Sequence, residues 1–265
     1  MKYALRRPAL FANAKKTNGL ALKKNSEKKK MILYRAYTDA LSDENTYTRL
    51  LQSVCQTRQE KVEKMKHMDG KRQSLLAGVL IKYAIEHNGY SYKDCEILHT
   101  DMGKPRYFHG GKELFLNSSH SGGAVLVAMS DRMIGCDVEQ VARRNGDELK
   151  IAKRFFHERE YEHLVSVKEQ GEEILKKEFV KYWTLKESFV KCIGDGLRIP
   201  LNRFCITEHG DGLIQVEQVE NSFDYDFVTM DGADGYHYSA CVRRDDRAIV
   251  PEEKFVDINP GLWNV

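Results

Sequence analysis

The spacing of apolar residues changes along the chain and predicts strands in some stretches and helices in others. Residues 31–37 alternate between apolar and polar side chains as a strand does, and helical spacing follows at 43–66 and 70–87. The second of these helices is predicted to stop at Asn88 and Gly89. Its apolar face is formed by Leu75, Leu76, Val79, Leu80 and Tyr83.

Shorter apolar runs in the middle of the chain predict strands that are separated by turns and loops. The predicted strands lie at residues 97–100, 114–116, 124–129 and 133–139. Between them, residues 102–105 are predicted to turn because a glycine and a proline fall there, and 117–123 are predicted to be a polar loop. The last two strands are predicted to pair as a hairpin.

The remaining sequence predicts helices first and then strands. Helical patterns are found at 147–167 and 172–193, and Asp/Gly turns then separate short apolar runs. These runs predict antiparallel strands at 204–207, 213–218, 227–230 and 236–242. Strands and helices followed again by helices and strands predict an α+β fold with two halves of similar size.

The net charge of +3 is a property of one end of the 265-residue chain. Residues 1–30 hold ten Lys/Arg and one acidic residue, which leaves 32 basic and 38 acidic residues in the remainder. An acidic body argues against a nucleic-acid enzyme, although an RNA-binding protein that uses the basic tail remains an alternative. The tail is predicted to be disordered, and it lacks the amphipathic stripe of a transit peptide.

Cysteine spacing and hydropathy favour a cytoplasmic protein. The six cysteines form no CxxC pair, so reduced thiols are favoured over a zinc site or a disulfide framework. No apolar run approaches the roughly 20 residues that cross a bilayer, so we expect no membrane partner.

Two carboxylates on one predicted strand are the first candidate site. Alternation from Ile134 to Glu139 places Asp137 and Glu139 on the same face, about 7 Å apart at the backbone. Their oxygens could converge on Mg²⁺, which is commonly held by a few carboxylates, waters and substrate phosphates. The alternative is an ordinary pair of acids on the solvated side of a strand.

A second candidate lies on the predicted helix at 172–193. Glu187 and Lys191 are four residues apart and share a face. Glu187 could be a third metal ligand or a base, and Lys191 could neutralise phosphate charge. The alternative is a simple helix-stabilising pair, worth a few tenths of a kcal/mol.

Three further segments could bind phosphate. The polar segment Ser119-His120-Ser121 offers hydroxyls and an imidazole, and Lys104 lies on the predicted turn. Arg58 and Lys61 are three apart on the first predicted helix and would face one way. Each also fits an ordinary solvated surface.

The order of these motifs resembles the surfactin-type 4′-phosphopantetheinyl transferase family over residues 31–245. The motifs that carry the resemblance are Gly103-Lys104-Pro105, Asn117-Ser118-Ser119-His120-Ser121, Gly135-Cys136-Asp137-Val138-Glu139 and the run from Trp183 to Lys191. Ile151-Ala152-Lys153-Arg154-Phe155-Phe156 and the closing Gly235–Cys241 segment also match. One departure is Gln73, which stands where the family commonly has a cation.

The resemblance implies two similar α/β subdomains that are related by a pseudo-twofold axis, with coenzyme A in the cleft between them. We expect them at residues 31–132 and 133–250, after a basic tail at 1–30 and before an extension at 251–265. It implies a monomeric, Mg²⁺-dependent enzyme that transfers 4′-phosphopantetheine from coenzyme A to a serine of an acyl or peptidyl carrier protein and releases 3′,5′-ADP. The alternative is a non-catalytic binder of coenzyme A or a nucleotide on the same fold.

The resemblance also implies a role for each site residue. The metal ligands would be Asp137, Glu139 and Glu187. The catalytic residues would be Glu187, Lys191 and His120. Contacts to the phosphates and the adenosine end would come from Arg58, Lys61, Ser74, Lys104, Ser119, His120 and Lys191. The general base would be Glu187 or a metal-bound water, and the motifs do not specify which carrier protein is modified.

Overall fold

The computed structural model of the protein describes residues 31–100, 103–143, 146–194, 199–210, 212–217, 223–232, 234–245 and 255–257. The basic tail at 1–30, and the expected extension except for 255–257, lie outside these ranges. Within the described ranges, none of the helices combines the length and the apolar character that crossing a bilayer requires.

Helices and strands are mixed along the chain, which confirms the predicted α+β class. The helices are α1 (Glu44–Ser53), α2 (Gln56–Glu63), α3 (Met68–His87), α4 (Glu148–Phe155), α5 (Glu158–Lys168) and α6 (Glu172–Ile193). The strands are β1 (Ile32–Tyr37), β2 (Cys95–His99), β3 (Pro105–His109), β4 (Lys112–Ser121), β5 (Ala124–Ser130), β6 (Ile134–Gln140), β7 (Cys205–Glu208), β8 (Ile214–Glu217), β9 (Tyr225–Asp231), β10 (Tyr236–Arg243) and β11 (Phe255–Asp257).

Two of the predicted helices are each broken into two, at places with no glycine or proline. Between α1 and α2, Val54 takes an extended conformation and is buried in the core, while the Gln59 side chain donates to its carbonyl oxygen. Between α4 and α5, His157 begins a new helix with a capping box whose other member is Glu160. The first break is therefore made by a core contact and the second by a helix cap. Neither break alters the spacing of apolar residues, so the spacing alone did not reveal them.

The prediction that the strands at 124–129 and 133–139 form a hairpin is wrong. Within the described residues, one sheet has the order β11-β1-β5-β4-β3-β2, a second has the order β6-β10-β9, and β7 pairs with β8. Because β5 pairs with β1 on one side and β4 on the other, it has no edge left for β6. The chain instead crosses from the first sheet to the second at residues 131–133.

The predicted polar loop at 117–123 is also wrong in most of its length. Strand β4 continues to Ser121 and pairs with β5, from Phe115 opposite Ser130 to Ser121 opposite Ala124. Only Gly122 and Gly123 form the turn. The strand reaches this far because the wholly buried β5 offers it backbone hydrogen-bonding partners over this length.

The core is arranged in layers. Tyr34 and Val127, on one face of the first sheet, pack in one cluster with Leu80 of α3. Leu126, on the opposite face, clusters with Val138 of the second sheet. Helix α6 covers the outer face of the second sheet. Strand β6 therefore has its apolar face towards the first sheet, while its other face, which carries Asp137 and Glu139, is turned towards α6.

The carboxylate of Asp234 ties the two sheets together on the side of β1. Asp234, in the turn before β10, accepts hydrogen bonds from the hydroxyls of Tyr37 and Tyr238 and from the Tyr236 backbone N–H. Arg35 of β1 lies 3.4 Å from the same carboxylate. Partial burial raises the pKa of Asp234, but these donors together outweigh it and hold the pKa below its ordinary value.

Replacing Asp234 by asparagine is expected to lower the thermal unfolding midpoint near neutral pH, because the variant loses a charged acceptor. The depressed pKa means that the native carboxylate stabilises the fold above an unfolded-state pKa of about 3.9, and that this contribution is lost as the pH falls further. The gap between wild type and variant should therefore narrow below about pH 4, as measured by thermal melts across pH. A gap that stays constant with pH would contradict this account.

Candidate active site

A cleft of about 480 Å³ lies where α2, α3, β4, β6 and α6 meet. Its walls include every residue to which the family resemblance assigns a role, except Lys104. These residues are Arg58, Lys61, Ser74, Ser119, His120, Asp137, Glu139, Glu187 and Lys191. Residues from widely separated segments are thus gathered at one place, which the sequence order alone does not require.

The predicted phosphate ligand Lys104 is placed differently. Its ammonium donates to the backbone oxygen of Lys191 at 3.1 Å, close to the end of α6. Its side chain lines two smaller cavities of about 100 and 180 Å³, and the larger of these shares Ser118 with the cleft. Lys104 is therefore next to the site but does not line the main cleft.

Strand β6 presents both of its predicted carboxylates to the cleft. Asp137 is 4% exposed, and its Oδ1 accepts from the Ser119 hydroxyl at 2.6 Å. Glu139 accepts from the Ser121 hydroxyl at 2.8 Å. These donors come from alternate positions of β4, so the strand that was predicted as a loop holds the two carboxylates in place.

Helix α6 lies against β6 because β6 has a glycine at the point of contact. A Cβ at Gly135 would stand 2.1 Å from the Ser188 backbone oxygen and 2.3 Å from the Cys192 nitrogen. Only a residue without a side chain lets the two backbones approach this closely. The close approach brings Glu187 and Lys191 over the carboxylates of β6.

A buried ion pair sets the rotation of α6. Lys186 is fully buried, and its ammonium donates to Glu160 of α5 at 2.7 Å and to the Phe204 backbone oxygen at 2.8 Å. A buried charge needs such partners, so this face of α6 must point away from the cleft. The next residue, Glu187, is thereby turned towards the cleft.

Lys191 joins the two halves of the site. Its ammonium lies 2.6 Å from Asp137 Oδ1 and 3.0 Å from the Ser119 hydroxyl. Burial lowers the pKa of Lys191, but the Asp137 carboxylate outweighs burial and raises the pKa above its ordinary value. Lys191 therefore stays charged.

For the pKa of Glu187, burial outweighs the effect of the nearby opposite charge. Burial raises the pKa of its carboxyl, and the carboxylates of Asp137 and Glu139 raise it further, against a lowering contribution from Lys191. A glutamate with a raised pKa is a better proton acceptor at the moment of reaction than an ordinary surface glutamate. Glu187, Asp137 and Glu139 line the same cleft.

The other end of the cleft is cationic. Arg58 packs against Gly78 of α3 and lies 3.4 Å from the hydroxyl of buried Ser74. Desolvation, followed by the charge of Arg58, lowers the pKa of Lys61. Desolvation and then Lys191 lower the pKa of His120. Cations that repel one another around a cleft are arranged for an anionic ligand.

The carboxylates of the cleft are chemically suited to bind a divalent cation. Asp137 Oδ2 is buried and has no hydrogen-bond partner among the described residues, so it is an anionic oxygen that still lacks a partner. Carboxylate oxygens are the protein ligands that Mg²⁺ prefers. Within the described ranges, however, no group of three or more His, Cys, Asp or Glu side chains stands in an arrangement that could hold a metal. The Lys191 ammonium donates to the other oxygen of this carboxylate, Asp137 Oδ1.

Trp183 lines the cleft but was not among the predicted site residues. Its ring also packs near the rings of Phe156 and Phe179. The available signal was its spacing, because Trp183 lies four residues before Glu187 and shares its helix face. Gln73 is a second case, since its amide donates to the Gly122 oxygen at 2.7 Å and supports the turn beside the cleft.

Comparison with known proteins gives consistent matches. A profile of the 4′-phosphopantetheinyl transferase superfamily matches residues 133–241, which include β6 and α6. The 4′-phosphopantetheinyl transferase ffp of Bacillus subtilis is 33% identical over 218 residues, covering 82% of this chain and 94% of that protein. Sfp of Bacillus subtilis (strain 168) is 29% identical over 217 residues with the same coverage. The transferase gsp of Aneurinibacillus migulanus is 32% identical over 168 residues, covering 63% of this chain and 67% of that protein.

Proposed function

The chain belongs to the 4′-phosphopantetheinyl transferases, and from that premise we propose that it moves the phosphopantetheine group of coenzyme A to a serine of an acyl or peptidyl carrier protein. We propose further that Asp137, Glu139 and Glu187 hold Mg²⁺ during the reaction. The observation that carries this proposal is the cleft itself. Three carboxylates and three cations line it, and one buried carboxylate oxygen, Asp137 Oδ2, has no partner among the described residues.

The cationic end of the cleft would bind the 3′,5′-ADP part of coenzyme A. Arg58 and Lys61 supply positive charge, and the hydroxyls of Ser74 and Ser119 supply donors. His120 adds a nitrogen next to Lys191. Charge-assisted hydrogen bonds to phosphate oxygens are the strong ones, so this end would provide most of the binding free energy.

The reaction is a displacement at the β-phosphorus. The serine oxygen forms a bond to phosphorus, the bond between phosphorus and the oxygen of 3′,5′-ADP breaks, and the serine proton passes to Glu187 or to a water that Glu187 orients. When bound by the three carboxylates, Mg²⁺ would offset the negative charge of the pyrophosphate. Lys191 and His120 would stabilise the charge that develops on the departing phosphate.

Replacing Lys191 by methionine is expected to lower kcat by about tenfold to a hundredfold, because a preorganised positive charge beside the leaving phosphate is removed. Methionine keeps the side-chain volume, so the packing of α6 should survive. Steady-state rates at saturating coenzyme A provide the measurement. A kcat equal to that of wild type would remove Lys191 from the proposed mechanism.

The proposed activity is tested by intact-mass spectrometry of an apo carrier protein after incubation with this protein, coenzyme A and Mg²⁺. We expect the mass to rise by one phosphopantetheine group, and we expect no increase with EDTA or with a carrier whose acceptor serine is alanine. Fatty-acid, polyketide and peptide-synthetase carriers should be compared in parallel. If none of the carriers gains mass, the proposed activity is wrong for them.

A further inference from the structure

A second cavity opens beside the cleft, and the proposed mechanism does not use it. It has a volume of about 790 Å³ and shares His120, Glu139 and Trp183 with the cleft. We call it the side chamber. The residues that line only the side chamber are Thr38, Asp69, Gln73, Ser121, Gly122, Gly123 and Arg143. Its size is typical of a cavity that holds a small-molecule ligand.

The chemistry of the side chamber differs from that of the cleft. The cleft contains Arg58, Lys61 and Lys191, whereas Arg143 is the one arginine or lysine among the described residues that line the side chamber. Acidic side chains of Asp69 and Glu139 line it as well. Such a surface does not favour another phosphate group, and its neutral hydrogen-bonding groups suit an uncharged polar chain.

One wall of the side chamber is built from backbone and small side chains. Gly122 has a φ of +54°, and a Cβ there would stand 2.5 Å from Gln140 Oε1. The neighbouring Gly123 is held by hydrogen bonds from its N–H to the Tyr236 hydroxyl and from the Thr38 N–H to its carbonyl oxygen. This wall is therefore held open by a turn that has no side chains of its own.

Gln73 and Thr38 stand on either side of this turn. The Gln73 amide nitrogen donates to the Gly122 oxygen at 2.7 Å, which holds the side chain along the chamber wall. Thr38 follows β1 directly, and its hydroxyl oxygen would lie 3.5 Å from a Cβ at Gly123. An amide and a hydroxyl held at one wall can exchange hydrogen bonds with a ligand that carries amides.

We propose that the side chamber binds the pantetheine arm of coenzyme A, with Thr38 and Gln73 as hydrogen-bonding partners of the amides of the arm. This inference rests on the proposed function. If the 3′,5′-ADP end lies among the cations of the cleft and the pyrophosphate lies at the carboxylates, the arm must continue past Glu139. Glu139 and Trp183 are the residues where the cleft meets the side chamber. The arm is an uncharged chain with two amides, and the hydroxyl of Thr38 and the amide of Gln73 can form hydrogen bonds with amides.

The same route separates the arm from the leaving group. The arm is attached to the phosphorus that is transferred, and 3′,5′-ADP carries the other phosphate of the pyrophosphate, so the two parts of coenzyme A extend from opposite ends of that group. A folded carrier protein is too large for a cavity of this size, and only its serine needs to reach Glu187.

Calorimetry with two ligands tests the inference, because 3′,5′-ADP lacks the arm and coenzyme A has it. In the presence of Mg²⁺, Thr38→Leu, which fills the chamber wall, is expected to raise the Kd for coenzyme A at least about tenfold. The milder Thr38→Val, which removes only the hydroxyl, should raise it about threefold to tenfold. Neither variant should change the Kd for 3′,5′-ADP. If Thr38→Leu does not fold, Thr38→Val decides.

Lys61→Gln is the matched control, since it is expected to weaken both ligands by a similar factor. Three results would overturn the inference: Thr38 variants that bind both ligands as wild type does, Thr38 variants that weaken both ligands equally, or a raised KM for the carrier protein with an unchanged Kd for coenzyme A. The last result would assign the chamber to the acceptor segment. A wild-type protein that binds neither ligand would instead refute the proposed function.

Discussion

Replacing Asp137 by alanine is expected to abolish phosphopantetheine transfer, with a rate loss of about a thousandfold or more. The variant loses Oδ2, the oxygen that best fits a metal, and Oδ1, which accepts from Lys191 and Ser119. Metal stabilisation of phosphoryl charge is worth several kcal/mol, and each 1.36 kcal/mol is about a factor of ten in rate. Initial rates of carrier loading, followed by intact mass, provide the measurement.

The fold should survive this change, because Asp137 lies at the wall of a cleft and Lys191 can turn towards solvent. Circular dichroism and a thermal melt should show that the variant is folded. Asp231→Ala is the matched control, since Asp231 is an aspartate of the same sheet that does not line the cleft. It should keep nearly the wild-type rate. A folded Asp137→Ala protein that still loads the carrier at a wild-type rate would contradict the proposed metal site.

Replacing Gly135 by alanine is expected to cost about 3 kcal/mol of folding free energy and most of the activity. The new methyl group would overlap backbone atoms of Ser188 and Cys192, which cannot move aside as a flexible side chain can. Overpacking of a rigid core costs about 1–3 kcal/mol in general, and this contact lies at the severe end. To relieve it, α6 must move away from β6, which separates Glu187 and Lys191 from Asp137.

Denaturant unfolding of Gly135→Ala provides the measurement, with Gly70→Ala as the control. A Cβ at Gly70 in α3 would meet nothing closer than Met65 Sδ at 3.9 Å. Because alanine is favoured over glycine inside a helix by about 0.5–1 kcal/mol, Gly70→Ala should be neutral or stabilising. If Gly135→Ala unfolds at the same denaturant concentration as wild type, the close contact between α6 and β6 is wrong.

The parts of the fold that could be predicted are those that depend on local periodicity. Alternation along β6 correctly placed Asp137 and Glu139 on one face, because successive strand side chains must point to opposite faces. Helical spacing likewise placed Glu187 and Lys191 together on α6 and located α3 within two residues. These predictions need no knowledge of what packs against the element.

Strand pairing could not be predicted, because it depends on which edges are already taken. The apparent hairpin of β5 and β6 had a turn-like connection, yet β5 is a central strand and β6 pairs with β10. Likewise, Asn117 to Ser121 look like a loop because they are polar. They form a strand because β5 supplies backbone partners and because the β6 residues Asp137 and Glu139 accept from their hydroxyls.

The site was predicted in composition better than in geometry. Motif order named all the charged groups of the cleft, but it also placed Lys104 among them, whereas its ammonium bonds to the backbone at the end of α6. It gave no role to Gly135 or Trp183. Gly135 is important because α6 packs on it, and Trp183 because it lines a cleft that other elements complete. The spacing of residues in one sequence does not show which elements pack together.

The account requires that Asp137, Glu139 and Glu187 bind one divalent ion together. The most direct measurement is electron paramagnetic resonance of Mn²⁺, a hard cation that stands in for Mg²⁺, titrated into the protein with coenzyme A present. We expect one bound Mn²⁺ per chain in the wild type, and an affinity at least about tenfold weaker in each of Asp137→Asn, Glu139→Gln and Glu187→Gln. Equal Mn²⁺ binding by all four proteins, or no binding by the wild type, would contradict it.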